Sequence, residues 1–304
     1  MENLQVMGFL DVLVALPKLC RQFYQIRDKI LELKPKAVIC IDYPGFHLKL
    51  AKSLKKKGFK GKLIHMVAPT VWAWKKGRIP QMAQTLDLLL TFFPFEPQCF
   101  AHTPLPTHYV GHPLSSAVQN FQPKGQFLGQ KILGIFPGSR KTEIERNLPI
   151  QLAVAKRLQQ MDPSFKIVIS NAQDPIEQNY ELMRASYLAL ATSGTVTLEL
   201  ALHNTPTIVS FAIRRLDCFI AQKIFRINLP FYCIANIVVN KQVFPEFFGP
   251  NFTEEALFLA ARSLACDERL RKICQTGCGE VRQALGQTEA AKEAAIKIFS
   301  SVDF

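Results

Sequence analysis

Apolar positions Val6, Phe9, Leu10, Leu13, Leu16 and Leu19 recur at helical spacing, which predicts an amphipathic helix broken near Pro17 and a second helix from Leu19 to Leu33. The pattern then changes period. Ala37–Ile41 is a short unbroken apolar run ending in Asp42-Tyr43-Pro44-Gly45, as a buried parallel strand followed by a turn would be. A helix from Leu48 to Lys57 leads through Gly58 and Gly61 to a second such strand, Leu63–Val67. Further strands are expected at Leu86–Phe93, Thr107–Val110, Lys131–Phe136, Ile167–Ser170, Tyr187–Ala191 and Thr207–Phe211, with helices running to Leu158 and from Thr195. Strands alternating with helices in both halves mean α/β with parallel sheets.

The stretch Asn120–Gln130 is rich in Gln, Gly and Pro and has no apolar period, so the linker between two domains is placed at 120–130. The expected division is 1–119, the linker, 131–285, and a C-terminal helix over 286–304 that packs back on the first domain. Two such domains in tandem imply a ligand cleft between them, at the carboxyl ends of the strands.

Charge narrows the partners. A formal charge of +13 over 304 residues favours phosphorylated molecules or anionic lipid. No RNP motif, zinc-finger spacing or basic zipper points to nucleic acid. The dense run Lys55-Lys56-Lys57 reads as a helix end. The eight cysteines, Cys218 among them, have no framework spacing and are expected as free, buried thiols in a reducing compartment; Cys274 and Cys278 share a helix face without a metal-site pattern around them. No apolar stretch reaches spanning length, and the start lacks a basic signal region, so a cytoplasmic protein that meets the membrane only at its surface is expected.

Two turns carry the chemistry. Pro137-Gly138-Ser139-Arg140 follows a strand and opens a helix, where free amides, a close-approaching Gly138, the Ser139 hydroxyl and the Arg140 fork suit a phosphate. Ser139 as a mere N-cap with Arg140 as a surface charge is the plainer alternative. Ser193-Gly194-Thr195 repeats the strand–turn–helix arrangement, and Glu199, one turn on, can accept both hydroxyls of a ribose or else serve the helix N-terminus. Together they describe a nucleoside-diphosphate site. The absence of a Walker A pattern and of a strand-following Gly-x-Gly-x-x-Gly disfavours NTPases and dehydrogenases, and without an Asp-x-Asp pair neither a metal nor another cofactor is expected.

In order along the chain stand Ala68-Pro69-Thr70-Val71-Trp72-Ala73-Trp74, Phe93-Pro94-Phe95-Glu96, Gly111-His112-Pro113, Pro137–Ile144, Ser193–Glu199 and Asn236-Ile237 with Pro245-Glu246. This series resembles the lipid-A-disaccharide synthases, from about Leu4 onward. The resemblance implies a two-Rossmann-domain glycosyltransferase architecture (GT-B type) and an inverting transfer from UDP-2,3-diacylglucosamine to 2,3-diacylglucosamine 1-phosphate. It implies donor contacts from Ser139, Arg140, Ser193, Gly194, Thr195, Glu199 and Asn236. It also implies a peripheral inner-membrane enzyme of lipid A synthesis in an outer-membrane-bearing bacterium, with a homodimer as one possible state.

Inversion needs a base beside the attacking hydroxyl, and Asp42 at a strand end is the candidate, with helix capping as its alternative role. The family's Ile-Asp-Ala-Pro-Asp-Phe-Asn is here Ile41-Asp42-Tyr43-Pro44-Gly45-Phe46-His47, so a base at the second Asp would be missing and His47 would be its substitute. Trp72 and Trp74, beside Lys75, Lys76 and Arg78, suit acyl chains or headgroups, or else core packing. The apolar N-terminal helix, with Val6 and Met7, has the same two readings. The family's opening strand and Gly-Glu-x-Ser-Gly-Asp loop are not found, a difference of ~60 residues at ~30 per strand–helix unit. A hole in the first sheet is expected from that. The alternatives are a shortened, inactive remnant that binds UDP-sugar or lipid, and another metal-independent UDP-sugar enzyme of the same fold, such as an epimerase or a murein-pathway transferase.

Overall fold

The computed structural model describes residues 9–213 and 229–302, with side chains from residue 19 onward. Val6, Met7 and Cys218 therefore lie outside the described residues. The chain divides into two compact units. One runs to Val110 and is completed by the chain after Ala290; the other is Gly111–Ala290.

In the first unit, α1 (Phe9–Leu33) is one helix that passes through Pro17. The expected break does not occur, because a proline deletes one backbone bond while the ladder on either side continues. Four parallel strands follow, β1 (Ala37–Ile41), β2 (Lys62–Met66), β3 (Leu88–Thr91) and β4 (Thr107–Tyr109), paired in chain order. Helices α2 (Pro44–Lys56) and α3 (Arg78–Thr85) connect them. The period of two sorts β2 and β3 onto two faces. Leu63 and Leu89 pack with Leu54 of α2 and Met82 of α3. Ile64, Leu88 and Leu90 pack with Ala294 and Val302, so the helix α11 (Ala290–Ser301) covers that face.

The described sheet has no internal gap; its two edges are β1 and β4. For that reason β1 is not the fully buried strand expected, and Ile39 and Ile41 are 46% and 60% exposed. Lys57 caps α2 and Gly58 follows in the left-handed region, so the lysine run is a helix end.

The second unit begins with α4 (Pro113–Gln119) and holds a five-stranded parallel sheet in the order β6-β5-β7-β8-β9. The strands are β5 (Lys131–Phe136), β6 (Phe165–Ile169), β7 (Ser186–Thr192), β8 (Thr207–Phe211) and β9 (Glu246–Phe248). Between them run α5 (Lys141–Met161), α6 (Ile176–Ala185), α7 (Thr195–Leu202) and α8 (Ile234–Val239), and α9 (Glu254–Cys266) and α10 (Glu268–Leu285) follow. Ile132, Ala189, Tyr180 and Leu200 form its core. The polar stretch read as a linker lies inside this unit, because Phe121 and Phe127 pack against that core. Cys40, Cys233, Cys274 and Cys278 are free and buried as expected, whereas Cys20 and Cys266 are exposed on helix surfaces.

Candidate functional site

The second sheet changes winding direction between β5 and β7: from β5 the chain moves outward to β6, then returns to β7 on the other side. The loops leaving these two strands diverge and leave a crevice, the usual ligand position in open α/β sheets. A cavity of about 450 Å³ opens there, lined by both sequence-predicted turns. Gly138, Ser139, Arg140, Ser193, Gly194, Thr195 and Glu199 all face it.

The β5 turn requires its glycine. Gly138 has φ 110, and a Cβ there would sit 2.9 Å from Glu143 Oε2 and 3.0 Å from Glu143 Cβ. The N-cap of α5 is Arg140, so Ser139 is not spent on capping and its hydroxyl is exposed at the cavity. Arg140 forms an ion pair with Glu143, and Glu143 Oε2 also accepts from the Arg140 amide at 3.4 Å. An ion pair this exposed is worth ~0–1 kcal/mol, so an incoming phosphate can displace it from the guanidinium.

The β7 turn is tied down from beneath. Gln151 donates to Thr192 Oγ1 at 3.3 Å and to Ser210 Oγ at 3.1 Å, and the Ser193 amide donates to Ser210 O at 3.0 Å. Asn147 joins the same support: its Nδ2 donates to Glu143 O at 2.8 Å and its Oδ1 accepts from the Ala212 amide at 2.9 Å. Gly194 is extended, with φ 166, and a Cβ there would meet nothing within 4 Å. Its lack of a side chain serves the open space rather than the backbone. Glu199 faces Tyr180 instead of capping α7. Burial holds its carboxyl above the ordinary carboxylate range, and the Tyr180 hydroxyl partly offsets this. The Tyr180 hydroxyl is pushed up to about 12, by burial first and by Glu199 second.

Asn236 is not part of this cavity. It is fully buried, its Nδ2 donates to Phe244 O at 2.8 Å and to Glu246 Oε2 at 3.3 Å, and its Oδ1 accepts from the Val243 and Phe244 amides at 2.9 Å each. Glu246 in turn accepts from the Cys233 amide at 2.7 Å. The motif that joins Asn236 to Pro245-Glu246 is a cross-brace between α8 and β9, in which both polar atoms of the Asn236 side chain are engaged.

In the first unit, Asp42 stands exposed at the carboxyl end of β1. It caps nothing: Tyr43 is the N-cap of α2 and has no side-chain cap bond. Asp42, Tyr43 and Val67 all have positive φ, 52, 44 and 73 respectively. For residues with a Cβ this costs ~1–2 kcal/mol each, and such strain gathers at functional sites. His47 bonds through Nδ1 to the Asp42 carbonyl at 2.7 Å, and its ring lies 6.3 Å from that of His65. His65 is fully buried and is lowered to about 4 by burial and then by His47, against the pull of Asp42 and of the Val67 backbone.

Trp72 and Trp74 are both half-buried in this unit. Trp72 packs edge-on against Phe95, with centroids 5.5 Å apart, and Trp74 donates to Thr70 Oγ1 at 2.9 Å beneath Lys75. Glu96 accepts from the Phe92 and Phe93 amides at 3.1 and 3.0 Å and is raised to about 7, chiefly by burial. Among the described residues no group of three His, Cys, Asp or Glu side chains suits a metal ion.

Sequence reasoning missed Glu143 as the side chain that holds Arg140, Tyr180 as the neighbour of Glu199, and His65 beside His47. Glu143 was legible as the third helical residue after Arg140. Tyr180 and His65 carry no signal short of the tertiary structure.

Comparison with known proteins agrees with the motif series. The family model described as lipid-A-disaccharide synthetase matches residues 1–299. The lipid-A-disaccharide synthase of Chlamydia trachomatis serovar D is 37% identical over 99% of this chain and 54% of its own. That of Paramagnetospirillum magneticum is 32% identical over 94% of this chain and 80% of its own. The chain thus spans about half the length of the chlamydial relative. Among solved structures, a putative UDP-N-acetylglucosamine 2-epimerase from Listeria monocytogenes shares the fold, with TM-score 0.61 at 13% identity, over 99% of this chain and 83% of that one.

Proposed function

Because the chain belongs to the lipid-A-disaccharide synthase family, we propose that it transfers 2,3-diacylglucosamine from UDP to 2,3-diacylglucosamine 1-phosphate with inversion, giving the β-1,6-linked disaccharide 1-phosphate and UDP. The observation that carries this reading is the meeting of two amide-rich turns, Arg140 and Glu199 in one cavity at the switch point of the second sheet. The turns and Arg140 take the diphosphate, and Glu199 takes the ribose hydroxyls. Leaving-group charge is then met by preorganised amides and a guanidinium instead of a divalent ion.

Asp42 is the base. The acceptor's C6 hydroxyl gives its proton to the carboxylate, and its oxygen bonds to the donor's anomeric carbon. The bond from that carbon to UDP breaks, and both electrons leave on the diphosphate. The left-handed backbone at Asp42 and Tyr43 and the His47 bond to the Asp42 carbonyl fix the main chain that carries this carboxylate. Trp72 and Trp74 belong to the acceptor side or to a peripheral contact with an anionic membrane. No helix among the described residues is long and apolar enough to cross one.

Product formation from the two acylated sugars, followed by mass spectrometry, tests the proposal together with UDP binding by calorimetry. Asp42→Ala is expected to abolish turnover with UDP affinity kept within about twofold. Unchanged turnover rejects Asp42 as the base. UDP binding without product in the parent chain marks a binding remnant, and no UDP binding in folded protein rejects the transferase reading altogether.

A further inference from the structure

A second cavity in the same unit, of about 830 Å³, lies where α6, α7 and α10 end. Since α6 and α7 lead into β7 and β8, this is the end of the sheet from which those strands set out, opposite the diphosphate turns. Arg184 of α6 and Arg282 of α10 line it, and neither forms an ion pair with a carboxylate among the described residues. Arg282 is steadied by the Leu202 carbonyl at 3.3 Å and Asn204 Oδ1 at 3.4 Å. Cations at helix ends offset the helix dipoles, which accounts for one arginine on each helix.

Dipoles do not account for two further side chains. Ser115 of α4 and His203 after α7 also line the cavity and are only 7% and 8% exposed. Among the described residues, Ser115 Oγ and His203 Nε2 have no hydrogen-bond partner. Desolvated polar atoms without partners are unfavourable, so a pair of them beside two cations without a carboxylate partner suits a ligand with several acceptor oxygens. His203 is lowered to about 4 by burial and then by the charges of Arg184 and Arg282.

We propose that this cavity binds a phosphate-bearing anion, with Arg184 and Arg282 forking onto its oxygens and with the buried Ser115 Oγ–H and His203 Nε2–H turning out of its wall to donate to it. The site is distinct from the donor cavity. The two are separated by the packed rings of Tyr180 and His203, with centroids 4.9 Å apart, of which Tyr180 lines the donor side and His203 this one.

Calorimetric titration of the full chain with inorganic phosphate, with UDP present in excess to fill the donor turns, tests the site, using the double variant Arg184→Ala/Arg282→Ala and Lys56→Ala/Lys57→Ala as the charge-matched control. Both cavity arginines are exposed, so their truncation leaves the core intact; Ser115→Ala is a milder second variant should the double one misfold. Phosphate affinity is expected to fall at least tenfold in the double variant, to fall measurably in Ser115→Ala, and to stay within twofold in Lys56→Ala/Lys57→Ala. Vesicles of phosphatidylglycerol in phosphatidylcholine identify the phosphate's source. Sedimentation with vesicles that is lost in the double variant, but kept in Lys56→Ala/Lys57→Ala with the same charge change, assigns a lipid headgroup. Phosphate binding without that vesicle effect assigns a free phosphate compound. The proposal is overturned if phosphate binding is unchanged in the double variant or falls equally in Lys56→Ala/Lys57→Ala. It is equally overturned if the parent chain shows neither phosphate binding nor arginine-dependent vesicle binding.

Discussion

Two glycines line the donor cavity for different reasons, and replacing each by alanine separates those reasons. At Gly138 the backbone is left-handed, which costs an L-residue ~1–2 kcal/mol. The new Cβ would also lie 2.9 Å from Glu143 Oε2 and 3.0 Å from Glu143 Cβ, so Glu143 must move and release Arg140. Losing that pair adds ~0–1 kcal/mol. A total of about 1–3 kcal/mol at ~2–4 °C per kcal/mol lowers the melting temperature by about 2–12 °C for a unit of this size. At Gly194 the backbone is extended and a Cβ meets no atom within 4 Å. Gly194→Ala therefore leaves stability unchanged or raises it by up to ~1 kcal/mol through the unfolded chain. Its methyl group instead occupies space beside the β7 turn amides and weakens UDP binding at least tenfold, ~1.4 kcal/mol. Differential scanning calorimetry and UDP titration on both variants read the two effects. A Gly138→Ala protein as stable as its parent, or a Gly194→Ala protein that melts early yet binds UDP normally, would refute the reasoning.

Asn236→Ala leaves the Val243 and Phe244 amides and the Phe244 carbonyl without partners. It is expected to cost ~3 kcal/mol or more in urea unfolding, while the folded fraction keeps the parent's UDP affinity; a selective loss of UDP affinity at unchanged stability would return Asn236 to the donor site. His65 binds protons in the unfolded chain near pH 6.5 but in the folded one only near 4. Its contribution is thus fully present above about pH 6.5 and is lost as pH falls toward 4. Because Glu96, Glu199 and Glu246 are raised and act with the opposite sign, the difference between the parent and His65→Leu isolates it. Over that window the parent is expected to lose up to ~3 kcal/mol relative to the variant in urea unfolding, and parallel stability curves would exclude the effect.

Much of the fold was legible because parallel strands covered on both faces are continuous apolar runs. Lys131–Phe136 and Thr207–Phe211 match the expected strands residue for residue. The pattern misled where burial depends on a neighbour. Ala37–Ile41 reads the same whether its outer edge is covered or open, and Phe121 and Phe127 are too few in a polar stretch to announce that they anchor it. The two turns of the donor cavity were legible because amides at a helix N-terminus need only local sequence. Asn236 was not, since an amide that braces two backbone segments and one that meets a ligand have the same letter and the same flanks. The Tyr180–His203 wall lay beyond reach for the same reason: nothing local joins those two positions.

The first unit is closed by α11, a helix that lies some 180 residues beyond β4. As the chain leaves the ribosome, Ile64, Leu88 and Leu90 must wait for Ala294 and Val302 while the whole second unit is synthesised. At ~5–20 residues per second this is an interval of roughly 10–40 seconds. During that time the nascent first sheet lacks the cover that α11 gives to one of its faces.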